Sequence, residues 1–171
     1  MIEEVQDTYV DILDTNLAAE LSGLESPSGG VSLTLAAPAK YLINFEPGVT
    51  VIPSNYYPCC IVWGLNQELD DEIRTGICVT HWHDIAVVMC FLNSAGKTPT
   101  DAINAVENIQ RMRSRYARAV IGVLKEHQQT DPIQMIKIEN IDYSRVLHDQ
   151  ANKALLSFVW IKTRARERET L

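Results

Sequence analysis

Apolar residues recur at intervals of three and four through the start of the chain: Ile2, Val5, Tyr9, Ile12, Leu13, Leu17 and Leu21. Glu3, Glu4, Asp7, Asp11 and Asp14 fill the positions between them. That period predicts an amphipathic helix over residues 2–21. Acids in its opening turns complement the positive end of the helix dipole, and Gly23 offers a stop. The run Ser26, Pro27, Ser28, Gly29, Gly30 then reads as a loop.

Between residues 31 and 92 the period changes to that of strands. Val31 to Leu35 alternates, and the stretch from Tyr41 to Phe45 is rich in β-formers, with Pro38, Pro47 and Gly48 as punctuation. From Tyr57 to Gly64 nearly every residue is apolar, as expected of a strand covered on both faces. Residues 65–71 carry turn formers and acids, which predicts a turn. Residues 74–92 form the longest strand-like stretch, reaching about 50 Å or more at about 3.3 Å per residue. A strand of that length must bend or be one arm of a long hairpin projecting from the body.

A second helix is predicted over residues 98–127. Thr98 is placed to cap it, Pro99 suits its first position, and Asp101 lies near its positive end. Its apolar stripe is Ile103, Val106, Ile109, Met112, Tyr116, Val120 and Leu124. Two closing strands follow, at 133–141 and 155–162, joined by a polar linker over 142–153. Residues 164–171 read as a charged, frayed tail. The pattern as a whole is α+β: a mainly antiparallel sheet with an N-terminal helix and a long central helix packed on it. At 171 residues, one domain over 1–171 is the expected size.

Composition narrows the classes. The longest unbroken apolar run, residues 85–92, is eight residues, far short of the roughly 18 a bilayer span requires. The acidic start lacks the apolar block of a secretory signal. Cys59, Cys60, Cys78 and Cys90 all lie in apolar runs with no metal or disulfide spacing, so reduced core cysteines are expected. The formal net charge of −7 is unevenly spread. Residues 1–50 hold eight acids and one base, 51–100 hold five and two, and 101–171 hold nine and twelve, giving −7, −3 and +3. An acidic front and a basic back disfavour sequence-specific nucleic-acid binding, for which whole domains are usually basic. They suit a chain that meets copies of itself, or two partners, on opposite sides.

The search for chemistry returns little. Thr80-His81-Trp82-His83-Asp84 resembles the opening of the zinc-hydrolase pattern T-H-x-H-x-D-H, but Asp84 falls one position early and position 86 is Ala86. His81 and His83 would share a strand face and could hold a metal only with further ligands, so no metal, cofactor or catalytic residue is assigned. Gly96-Lys97-Thr98 lacks the upstream glycine of a phosphate loop, because position 91 is Phe91. Asp70, Asp71 and Glu72 sit on the expected turn. Arg111, Arg115 and Arg118, with Arg113 beside them, form a basic helix face suited to pairing with carboxylates of an adjacent molecule.

The order of elements carries a resemblance. It comprises the N-terminal helix, Tyr57-Pro58 leading a short apolar strand to Trp63, and the long apolar arm at 85–92. The helix carrying Arg115-Tyr116 through Leu124 and a last strand with Phe158-Val159-Trp160-Ile161 complete it. Together they resemble the tail-terminator proteins of long-tailed bacteriophages and their tail-completion relatives in the neck. That resemblance implies a non-enzymatic virion protein, made and assembled in the bacterial cytoplasm. About six copies would form a ring that caps the tail tube, stops its polymerisation and meets the neck or head-completion protein. A head-completion or stopper protein is the nearest alternative, and a small metal enzyme using His81 and His83 is the alternative from another class. The interface candidates are Arg111, Arg115, Arg118, Asp70, Asp71, Glu72, His81 and His83.

Overall fold

The computed structural model describes residues 2–26, 30–44, 52–75, 78–94, 99–149 and 154–170. For residues 69–75, 78, 79, 99–102, 149, 169 and 170 it describes the backbone alone. The order is α1 (Ile2–Leu24), β1 (Lys40–Ile43), a 3₁₀ turn (Ser54–Tyr56), β2 (Cys59–Thr75), β3 (Cys78–Ser94), α2 (Pro99–Glu126), β4 (Ile133–Tyr143), β5 (Leu147–Asp149) and β6 (Ala154–Thr170). The strands form one sheet in the order β1-β2-β3-β6-β4, with β5 also on β6. Only the β1–β2 pairing is parallel. This is the expected α+β fold.

Both helices lie on one face of the sheet. Val5, Tyr9, Leu13, Leu17 and Leu21 of α1 meet Tyr116, Val120 and Leu124 of α2 over Ile85, Val87, Met89 and Phe91 of β3. Each fully buried Leu or Ile contributes about 1.5–3 kcal/mol of apolar transfer. The alternate residues Ala86, Val88 and Cys90 point the other way, into a second cluster with Cys59, Ile61 and Phe158. Ile52, Tyr56 and Tyr57 pack there as well, so the central part of β3 is covered on both sides. Cys59 and Cys60 divide between these two clusters and, like Cys90, are buried free thiols. The predicted apolar stripe of α2 holds in its second half. Ile109, Tyr116, Val120 and Leu124 are buried, Val106 and Met112 half-buried, and Ile103 is exposed.

Polar contacts anchor the helices. The Tyr9 hydroxyl lies 2.9 Å from Thr163 Oγ1, and that hydroxyl donates to the Ile85 carbonyl at 3.0 Å. Buried Gln6 donates to Asn44 Oδ1 at 2.6 Å, and the Gly64 N–H donates to the same oxygen at 3.1 Å. A Cβ at Gly64 would stand 2.7 Å from Ile2 Cδ1, so a larger residue there would have to push the Ile2 side chain aside.

Five sequence expectations need correction. Residues 31–35 form no strand, because their hydrogen bonds go elsewhere. Leu33 N–H donates to the Glu25 carbonyl and Leu35 N–H to the Glu25 carboxylate, both at 2.9 Å, while the Val31 and Ala36 carbonyls accept from Arg115 and Tyr116. Residues 65–71 do not turn: β2 runs on to Thr75. Their polarity reflects an edge, since β1 pairs with β2 only from Cys59 to Val62. The supposed linker extends β4 to Tyr143 and contains β5. Residues 164–170 are not a frayed tail but the second half of β6, paired with β3 through Cys78↔Thr170. That pairing also makes β3 a central strand, so the long β2–β3 hairpin is part of a wider sheet and not a separate projecting arm. The expected cap at Thr98 lies outside the described residues.

The reassigned C-terminal strand generates a direct test. Ending the chain after Thr163 removes buried Ala165 and Glu167 and half of the β3–β6 ladder. The expected loss is about 3 kcal/mol or more, a fall in melting temperature of about 10 °C. A truncated protein that melts with the full chain would restore the frayed-tail reading.

Candidate functional site

Strand alternation sorts the outer half of the sheet into two unlike sides. On the helix side, β3 presents His83 and β6 presents Glu167; both side chains are buried, at 0% and 2% exposure. Their Nε2 and Oε2 atoms are 2.6 Å apart, a charge-assisted hydrogen bond between residues 84 positions apart. His83 Nδ1 has no hydrogen-bond partner. Burial lowers the His83 pKa below its ordinary value; the Glu167 carboxylate acts against that shift, and the nearby His81 ring adds to it. The two histidine rings do share a strand face, with centroids 6.1 Å apart, and Gln67 Nε2 lies 3.5 Å from His81 Nδ1. Among the described residues no group of three or more His, Cys, Asp or Glu is placed to hold a metal ion. His83 and Glu167 thus make a buried hydrogen-bonded pair.

On the other side of the sheet, among the described residues, no α-helix lies over the strands; Ile52, Tyr56 and Tyr57 cover its central part. Register places Glu68, Trp82 and Arg166 in one row, Asp84 and Arg164 in the next, Trp63, Ala86 and Lys162 beyond them, and Val88 with Trp160 further on. All three tryptophans of the chain therefore share this face. Trp63 and Trp160 pack at 5.6 Å between ring centroids. Trp82 is ringed by cations: Lys137 Nζ at 4.9 Å, and the guanidinium carbons of Arg164 and Arg166 at 5.2 and 5.7 Å. Each such contact at an exposed site contributes about 0.5–1 kcal/mol. Arg164 also pairs with Glu68 and Asp84, and Lys162 reaches Asp142 at 3.1 Å. These side chains are about a third to a half exposed, so the pairs orient the charges without neutralising the surface.

The residues singled out from sequence fare unequally. Arg111 is exposed and, among the described residues, pairs within its own helix, reaching Glu107 at 3.5 Å. Arg115 works inside the chain, donating to the Glu25 carbonyl at 2.9 Å and to the Val31 carbonyl. Arg118 is exposed. Arg113, which seemed secondary, is buried: it donates to the Ser144 carbonyl at 2.6 Å and lies 5.6 Å from the Tyr143 ring. Burial lowers its pKa. Asp70, Asp71 and Glu72 lie on β2, not on a turn, and only their backbone is described. The sequence search missed Lys137, Lys162, Arg164, Arg166 and Glu167. The signal was present in Arg164-Ala165-Arg166-Glu167-Arg168, a strict two-residue alternation hidden by its charge.

No protein-family model matches the chain, and no curated protein is found to be related to it. Among the described residues no helix is long and apolar enough to cross a membrane.

The buried pair fixes a pH dependence. Because folding lowers the His83 pKa from its ordinary 6.5, the unfolded chain takes up this proton first as the solution is acidified. Its contribution to stability is present above about 6.5 and is lost as the pH falls below it. Melting curves between about pH 7.5 and 5 should therefore fall more steeply for the native chain than for His83→Gln. Glu167→Ala leaves the buried ring without its partner and should cost about 1–3 kcal/mol. Equal slopes in the native chain and His83→Gln would contradict this assignment.

Proposed function

We propose that this chain is a structural assembly subunit of the phage tail-terminator class. Copies close head to tail into a ring that caps the tail tube, stops its growth and receives the neck of the head. The single observation that carries the reading is the two-sidedness of the sheet. One face is covered by α1 and α2; the other carries a smaller apolar cluster with half-buried Trp63 and Trp160 and, beyond it, half-buried Trp82 among paired charges.

Rings that close by rotation need two different complementary surfaces on each subunit. A sheet with unlike faces supplies them, whereas a pocket enzyme needs a concave site with convergent catalytic groups. The resemblance in element order gives the assembly its identity. The charge split between front and back of the chain maps onto these faces only in part: the β6 cations lie on the second face, whereas the α2 bases lie on the same side as α1. The role places the subunit in the virion, at the junction of tail and neck.

Electron microscopy of the purified protein, alone and mixed with tail tubes, tests the reading. Rings of about six copies, free or seated on tube ends, are expected. A protein that stays monomeric at high concentration and leaves tube ends bare would refute it. Stoichiometric zinc retained through purification would favour the enzyme alternative instead.

A further inference from the structure

The open face of the sheet has a counterpart on α1. Glu3, Asp7, Asp11 and Asp14 are all exposed, and their spacing of four, four and three places them in one stripe along the helix. None of the four forms an ion pair with another described residue. Like charges at this spacing weaken the helix slightly, a cost that a basic surface laid over the stripe would relieve. It faces away from the sheet, because Val5, Tyr9, Ile12, Leu13 and Leu17 take the inward positions.

On the far side of the sheet, Lys162, Arg164, Arg166 and Arg168 alternate along β6, and Lys137 stands beside them on β4. The dimensions agree. From position 3 to 14 a helix rises about 16 Å, and from 162 to 168 a strand rises about 20 Å. The α1 stripe is acidic, and the β6 row is basic although Glu68, Asp84 and Asp142 stand among its cations; the two lie on opposite sides of the subunit. They cannot meet within one chain, but they can meet between two.

We propose that α1 of one copy docks across the open sheet face of the next, its acidic stripe lying along the β6 cations and over Trp82. This inference rests on the assembly reading above and names the contact that would build it. The contact is heterologous, so each added subunit exposes the same pair of surfaces again. Trp63 and Trp160 lie in the same face and supply apolar area beside the charged row. The face does bear aromatic and basic groups together, as single-strand binders do. The rings of Trp82, however, already lie against three cations of the chain, and the matching acidic stripe is carried by the protein itself.

Charge exchange tests the contact. One variant carries Asp7→Lys, Asp11→Lys and Asp14→Lys; the other carries Lys137→Glu and Lys162→Glu. All five positions are exposed or half-exposed, and melting curves confirm which variants fold. Each variant alone should self-associate about tenfold or more weakly than the native chain in sedimentation, and an equimolar mixture should recover association to within about threefold. Raising salt from about 0.1 to 0.5 M should weaken the native assembly by about tenfold. Should both folded variants assemble as the native chain does, the α1-to-sheet contact is wrong and the ring reading stands on another interface. A native chain that never associates overturns both. Quenching of tryptophan fluorescence by oligo-dT, lost in Lys137→Glu/Lys162→Glu, would assign the face to single-stranded nucleic acid and overturn the contact.

Discussion

The fold turns on the double duty of β3. It is paired on both edges, with β2 and with β6, so every odd and every even side chain must find an environment across the sheet. Over 85–91 both environments are apolar, which explains why the run is unbroken and why it has to be central. Further out, over 80–84, the two sides diverge. His83 turns to the helix side and closes on Glu167, while Trp82 and Asp84 turn to the open side among cations. Everything distinctive about the surface follows from that divergence.

β6 follows the same rule with different residues. Thr163, Ala165 and Glu167 are all but fully buried, whereas Arg164, Arg166 and Arg168 lie on the other side. A carboxylate in the buried set is costly unless it is paired, and His83 is the pairing. The chain accommodates one buried acid so that a strand of alternating charge can hold register for its full length. A single-residue slip would bury three arginines, so the register is strongly specified.

Much of this was legible in sequence. Both helices announce themselves by period, and the central strands by unbroken apolar runs, because burial on one stripe or on two faces leaves a repeating mark. What was hidden were segments whose polarity has a positional cause. The outer part of β2 is polar because β1 ends at Ile43 and leaves it as an edge. Residues 164–170 look like a solvated tail because half their charges belong to an exposed face. Residues 31–35 alternate like a strand, yet Glu25, Arg115 and Tyr116 satisfy their backbone instead. The site suffered most, since the partner of His83 lies 84 positions away and no local pattern points to it. Arg115 illustrates the converse: its place on a basic stripe said nothing about the two carbonyls it holds.

The charge asymmetry acquires a mechanical meaning once the fold is in place. Sequence separates an acidic front from a basic back, but separation along a chain is not separation in space. The fold converts one into the other only in part: it seats α1 on one face of the sheet and turns the β6 cations to the opposite face, but keeps the α2 bases on the α1 side. Charges on surfaces a sheet thickness apart interact weakly within the subunit, since screening in about 0.1 M salt acts over about 10 Å. In the proposed assembly they would act between subunits, where the two surfaces would come into contact. In that role charge sets which surface meets which and in what register, more than how tightly they hold. In that proposed contact, affinity would fall to the tryptophans, whose large rings are the kind of anchor on which interface energy concentrates. The same face thus carries both requirements of a directional contact, and it does so because β3 and β6 are each obliged to alternate.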